Sequence, residues 1–376
     1  MIQAKYIECF EKTLRDDRNL VSKKNLSSFI EKNYFNATVE EVNTGTAITR
    51  YDIKVQPKAI KYFLKLLREF NAFFDTNDCR LFQNGKLVCL EVPNKYVGTY
   101  RFSDCIASLQ TITNHTGKLY VSIGESLNCK NIIYDLVSMP HLLIGGGTGS
   151  GKSIFLHNLI LSLLLQYSSK EVNLILIDPK EVEFNFYRNA PQVREVVVNA
   201  EVACRRIRDL CDEMDNRYKI FSDIGVRDIE SYNKKSEIKM TRIVVFIEEL
   251  ADLIIQQGSD IISNITRLVV KARACGIHII LSTQRPEAEF MTGKLRSNFQ
   301  CSVAFATASQ FDSKMIIGTK GAEKLKGNGD GLFRPNDNEL IRFQSAFISE
   351  EEIKNAVKLL NEWEVVQCGR QSVDFT

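Results

Sequence analysis

Between His141 and Leu156 the chain reads HLLIGGGTGSGKSIFL, and Gly146 to Ser153 within it fits G-x-x-x-x-G-K-[ST]. An apolar run enters a glycine-dense turn and a second apolar run leaves it, the strand–loop–helix setting in which this pattern cradles phosphate. Glycine admits left-handed dihedrals and close backbone approach. The N–H groups of Gly146, Gly147, Thr148, Gly149, Ser150 and Gly151 can therefore line a concave anion nest at a helix N-terminus. Lys152 would reach the β- and γ-phosphates of a nucleotide, and the Ser153 hydroxyl would ligate Mg²⁺.

A second chemical signal is the strand-like run RIVVFIEELADL, which ends its apolar stretch on Glu248 and Glu249. Hydrolysis of a nucleotide needs one acid to hold Mg²⁺ or its water and a neighbour to activate the attacking water. Glu248 takes the first role and Glu249 the second, because alternation along a strand points the two side chains in different directions. Asp252 is expected to cap or brace the following helix.

These residues need a frame. The 376 residues allow two or three domains with a well-buried core. Hydrophobic residues make up 44% and charged residues 25%, an ordinary globular balance. A net charge of +3 confines any nucleic-acid surface to a local patch or channel. The ten cysteines are scattered and form no CxxC pair, so with four histidines a zinc site is not expected. No signal peptide is visible, and the longest apolar stretch, Ile154–Tyr167, is too short to span a bilayer and is interrupted by His157 and Asn158. The expectation is a cytoplasmic chain with no direct membrane insertion, which any work at a membrane would oblige a recruiting protein to deliver there.

The first 45 or so residues are polar and expected to be helical. A small α+β domain follows over 46–125. It holds a strand over Thr46–Pro57, a helix over Ala59–Phe74 and a hairpin over Cys79–Pro93 around Asn84-Gly85. From about 126 to 376 the pattern becomes strand, helix, strand, helix. Apolar runs at 141–145, 173–179, 242–249, 277–284 and 302–307 suit strands buried on both faces of a mainly parallel α/β sheet. Helices are expected over 153–166, 200–222 and 261–274, and Ser349 with Glu352 forms a capping box before a last helix.

From about Thr46 to Ile353 the sequence resembles the motor domains of the FtsK/SpoIIIE DNA translocases. The resemblance rests on MPHLLIGGGTGSGKS, IDPKEVEF (Ile177–Phe184), CDEMDNRYKIFSDIGVRDIESYN (Cys211–Asn233), KARACGIHIILSTQRP (Lys271–Pro286) and GAEKLKGNGDGLF, with TRYDI and CLEVPN in the first domain. It implies a RecA-like P-loop core that uses ATP and Mg²⁺ and assembles as a ring, usually a hexamer, around double-stranded DNA. Arg273 matches the family's arginine finger, which acts on a neighbour's nucleotide, with Arg267 as the rival. Gln284 matches the sensor position. Arg285, Arg296 and Lys314 match basic positions that face DNA, while Gln310 stands where another basic residue is expected.

Glu248 departs from the family's usual Asp. The family's membrane spans and C-terminal winged-helix domain have no counterpart here, so the expectation is a bare, stand-alone motor. The competing readings are a protein-transport ATPase of the type VII secretion kind and a non-hydrolysing ATP-binding scaffold.

Overall fold

The structure is a computed structural model that describes residues 10–12, 23–33, 37–46, 48–94, 98–127, 130–258, 260–284, 286, 293–336 and 340–371. The first part comprises α1 (Lys23–Asn33), β1 (Ala37–Thr44), β2 (Ile48–Val55), α2 (Ile60–Phe63), α3 (Leu67–Phe74), β3 (Arg80–Asn84) and β4 (Leu87–Pro93). Its strands form an antiparallel sheet in the order β1-β2-β4-β3. Leu26 and Ile30 of α1 and Phe63 and Phe70 of the later helices bury one face of that sheet.

Three expectations are corrected in this region. Residues 37–44 form a strand, not a helix; a bulge between Val39 and Glu41 breaks the apolar alternation that would have revealed it. The helix over 59–74 is two helices, interrupted by a turn at Leu64–Leu66. The hairpin closes on Asn84 opposite Leu87, which places the turn at Gly85-Lys86.

The second part continues with α4 (Phe102–Gln110), β5 (Tyr120–Ser126), β6 (Asn131–Asp135), β7 (His141–Gly145), α5 (Lys152–Leu164), β8 (Val172–Ile177), β9 (Val193–Val197), α6 (Ala200–Ile224) and α7 (Ile229–Lys235). It ends with β10 (Arg242–Ile247), α8 (Leu250–Gln257), α9 (Asp260–Lys271), β11 (Ile277–Thr283), α10 (Gly293–Arg296), β12 (Cys301–Phe305), α11 (Gln310–Ile317), β13 (Asp330–Arg334), β14 (Ile341–Gln344) and α12 (Glu350–Gln371). All ten strands make one sheet, ordered β6-β5-β14-β13-β12-β7-β11-β10-β8-β9. From β12 to β9 every pairing is parallel; from β12 to β6 every pairing is antiparallel. β5 reaches Ser126 and pairs with β14, so the large sheet begins before residue 125.

The parallel strands are apolar throughout because both of their faces are covered. Val244 and Phe246 of β10 enter the core beneath α4, α5 and α12, whereas Ile243, Val245 and Ile247 enter the core beneath α6, α8 and α9. α5 lies inside, with eleven of its thirteen residues buried, Lys152 among them. The capping box forms as expected: Ser349 N donates to Glu352 Oε2 at 2.7 Å and Glu352 N to Ser349 Oγ at 3.3 Å. No helix among the described residues is long and apolar enough to cross a membrane.

A buried ion cluster joins the two sheets. Arg342 of β14 donates through Nε and Nη2 to Asp330 of β13 at 2.9 and 2.8 Å, and through Nη1 to Glu91 of β4. Arg80 of β3 also reaches Glu91, at 3.4 Å. Burial opposes the Arg342 charge, but the hydrogen bonds it donates to Asp330, with the Asp330 and Glu91 charges, hold its pKa above the ordinary value.

Candidate active site

In the large sheet β11 lies between β7, which leads into the phosphate loop, and β10, which ends on the glutamate pair. The C-terminal ends of these three strands therefore converge. Gly146 N donates to Thr283 O at 3.3 Å and Gly147 N to Ala306 O at 2.9 Å, so the loop hangs from the ends of β11 and β12. On its far side Gly329 N donates to Ser150 O at 2.9 Å. Gly151 has φ 103°, and a Cβ there would sit 2.5 Å from Gly329 N; both conformation and space demand glycine.

Lys152 is 3% exposed. Its Nζ donates to Glu248 Oε1 at 3.1 Å and to Ser282 Oγ at 2.9 Å. Burial raises the Glu248 pKa, against the lowering effect of Lys152. Glu248 Oε2 and the Asp178 Oδ1 just after β8 are both buried without a partner among the described residues. The orphaned oxygen of Glu248, on the carboxylate that Lys152 reaches, suits Mg²⁺ or its water.

Glu249 is held on all sides. Its Oε1 accepts from Thr283 Oγ1 at 2.8 Å and from Ala251 N at 3.4 Å; its Oε2 accepts from Gln284 N at 2.8 Å. It is the N-cap of α8, so Asp252, expected to cap or brace that helix, does not cap it and pairs with Lys180 at 3.0 Å. The cap falls on Glu249 because the helix starts at Leu250. Gln284 Oε1 accepts from the Thr148 hydroxyl at 3.1 Å, tying the sensor position to the loop.

The loop opens onto a cavity of about 670 Å³, walled opposite by Lys326–Asp330, Gln344–Phe347 and Gly98–Tyr100 and floored by Ile154 and Glu183. Sequence reasoning noted the glycines of 327–331 only as part of a family stretch; it missed Ser282, Thr283, Asp178 and Glu183. Ser282-Thr283, directly before Gln284, was a local signal for two of them.

Arg273 is elsewhere. It precedes β11, at the strand ends opposite the phosphate loop, and is exposed. Its charge falls on His141 and His278, at the starts of β7 and β11, where burial above all pulls the imidazoles down to about 3 and about 4. The rival Arg267 is engaged by Asp215 at 2.5 Å. Of the basic trio, Arg285 lies outside the described residues. Lys314 is exposed on α11, and Arg296 is half-buried on α10. Arg296 and Arg334 flank Gly318 at the C-terminus of α11, where Arg334 Nη1 donates to Ile317 O at 2.8 Å. Ile316 of α11 fills the space that a Cβ on Gly145 would need, 2.2 Å away, so this helix rests on the strand that carries the loop.

The profile of the FtsK/SpoIIIE family matches residues 106–288. The DNA translocase FtsK of Caldanaerobacter subterraneus subsp. tengcongensis is 39% identical over 335 residues, 87% of this chain and 47% of the relative. The DNA translocase FtsK of Clostridium acetobutylicum is 38% identical over 334 residues, 85% of this chain and 43% of the relative. This chain belongs to the FtsK/SpoIIIE family. It spans less than half the length of these curated relatives. Among solved structures, the pCW3 conjugation coupling protein TcpA, in a monomer form with ATPgS, superposes with a TM-score of 0.62 at 22% identity, covering 92% of this chain and 99% of TcpA. The cytoplasmic domain of the Thermomonospora curvata type VII secretion ATPase EccC gives 0.61 at 24% identity, over 68% of this chain and 32% of EccC. Both likenesses establish the fold, an α/β P-loop ATPase architecture around a large, mainly parallel sheet.

Proposed function

We propose that the chain hydrolyses ATP as one subunit of a ring motor, of the family's hexameric kind, that moves double-stranded DNA. The observation that carries this reading is the division of the catalytic set between the two ends of β11. Lys152, Ser153, Glu248, Glu249 and Gln284 gather at one end, and Arg273 stands exposed at the other.

Lys152 donates to Glu248 and Ser282. The β- and γ-phosphates would draw its ammonium toward them, leaving Glu248 to face the metal position. Ser153 and Glu248 would hold Mg²⁺, which would supply positive charge to the phosphate oxygens. Glu249 is already oriented by Thr283 and the Gln284 amide, and it takes the proton of the lytic water. Gln284 links the water site to Thr148 in the loop. A neighbour's Arg273 completes the charge stabilisation. The contact of Ile316 with Gly145 gives the loop a direct mechanical path to α11 and Lys314. Lys314 and Arg296, with Arg285, contact phosphates by charge alone, which suits movement over any sequence.

The test is ATP turnover with and without long double-stranded DNA across a salt series. Stimulation that fades as salt rises is expected. Turnover indifferent to DNA at every salt concentration refutes the DNA reading and favours a protein-cargo motor. No turnover at all favours the scaffold.

A further inference from the structure

An alcohol that gives a lone pair to a metal keeps its proton, and that O–H needs an acceptor to fix the ligand's orientation. Glu248 is placed against Lys152 and would itself face the metal, so the acceptor for Ser153 comes from another element. The loop after β8 provides one. Glu183 borders the nucleotide cavity beside Lys152, Ser153 and Ile154, with 26% of its side chain exposed. On α5 its carboxyl meets His157, one turn after Ser153, and these two neighbours, His157 first, hold it below the usual range against the effect of burial.

The setting of Glu183 is rigid. The fully buried Asp178 accepts from Glu183 N at 2.8 Å and from Phe184 N at 3.1 Å, and Phe184 is itself fully buried. Behind Glu183, His157 Nε2 lies 3.4 Å from Glu183 Oε2, and His157 Nδ1 lies 2.9 Å from the hydroxyl of the fully buried Tyr187. The network assigns the tautomer: the Tyr187 O–H donates to Nδ1, which leaves the proton on Nε2 to donate to Glu183. His157 follows Ser153 by one turn of α5, so metal ligand and brace share a helix face.

We propose that Glu183 accepts the hydrogen bond of the Ser153 hydroxyl and so orients that hydroxyl as a Mg²⁺ ligand, with His157 and Tyr187 as the brace that fixes Glu183. Glu183 is a positioning residue acting through Ser153. The assignment rests on the ATP and Mg²⁺ reading above and adds a third acidic position to the glutamate pair.

The experiment is binding of fluorescent ADP to the full chain, titrated with Mg²⁺ and in excess EDTA, for wild type, Glu183→Ala, Glu183→Gln and Tyr187→Phe. The readout is the ratio of the two affinities. Losing a partner that orients a ligand costs a metal site roughly 10- to 100-fold, so Glu183→Ala should shrink the Mg²⁺ enhancement by that factor and leave the EDTA affinity within about twofold. Glu183→Gln keeps one acceptor oxygen for two donors and should fall between. Tyr187→Phe frees the His157 tautomer and should lose part of the enhancement without touching the cavity. An unchanged enhancement in Glu183→Ala overturns the assignment. So does an equal loss of affinity with and without Mg²⁺, which would make Glu183 only a wall of the pocket. A wild-type chain that binds no nucleotide overturns the ATP reading itself, and the assignment with it.

Discussion

If Arg273 completes a neighbour's site, two inactive variants should restore each other. Ile277 to Thr283 is six strand steps, so the start of β11 lies about 20 Å from the end that abuts the phosphate loop. An arginine four residues before Ile277 cannot fold back over that distance to the γ-phosphate of its own subunit. Arg273→Ala should lower turnover on the order of 10³- to 10⁵-fold, the contribution of such a finger elsewhere. Lys152→Ala should be inactive because the phosphates lose their cation. A mixture supplies intact phosphate loops on Arg273→Ala subunits and intact fingers on Lys152→Ala subunits. In a head-to-tail ring assembled at random from equal amounts, roughly a quarter of the interfaces pair the two. The assay is DNA-stimulated ATP turnover of each variant and of their mixture, at concentrations where assembly is verified by sedimentation. Activity in the mixture far above either parent, approaching a quarter of wild type if interfaces act independently, is the expected result. A mixture that assembles yet stays inactive refutes action across the interface. Wild-type turnover by Arg273→Ala alone refutes the finger.

Two further outcomes follow from the same geometry. Glu249→Gln keeps an oxygen toward the Gln284 amide and a donor toward Thr283, so nucleotide affinity should stay near wild type while turnover falls about 10²- to 10⁴-fold; an unchanged rate would place the base elsewhere. His278 is depressed from 6.5 to about 4, so the unfolded chain binds its proton first, and stability should be lost as pH falls from about 6.5 toward 4, by on the order of 3 kcal/mol. Denaturant unfolding of His278→Asn, whose amide can still donate to Pro140 O, should show a flatter acid limb; an identical slope would refute the assignment.

The sequence disclosed those parts that are continuous in the chain. β7, β8, β10, β11 and β12 are buried on both faces, so each reads as an unbroken apolar run, and the phosphate loop declares itself within eight residues. Features assembled from distant segments left no such trace. β13 and β14 are short antiparallel strands whose residues are fixed by Phe305, Phe343 and the ion cluster, not by a periodic pattern. β1 hides behind its bulge. Glu183, His157 and Tyr187 are ordinary residues of a loop, a helix and a short turn until folding brings them together. The partners of Lys152 come from the end of β10 and from β11, and only the sheet order makes them neighbours.

The ion cluster of Glu91, Arg342 and Asp330 limits how this protein can be taken apart. Its charges are divided between the two sheets, one carboxylate on the first and the guanidinium with its second carboxylate on the other. A graft that replaces the first sheet with one lacking an acid at position 91 would strand part of a buried cation, a defect worth several kcal/mol. Asp330, left as the carboxylate that holds the guanidinium, also accepts from Lys326 N, in the turn whose Gly329 abuts Ser150. Exchange of parts between relatives should therefore succeed only where the acid and the arginine travel together. The first sheet and the turn beside the phosphate loop are tied through one buried arginine.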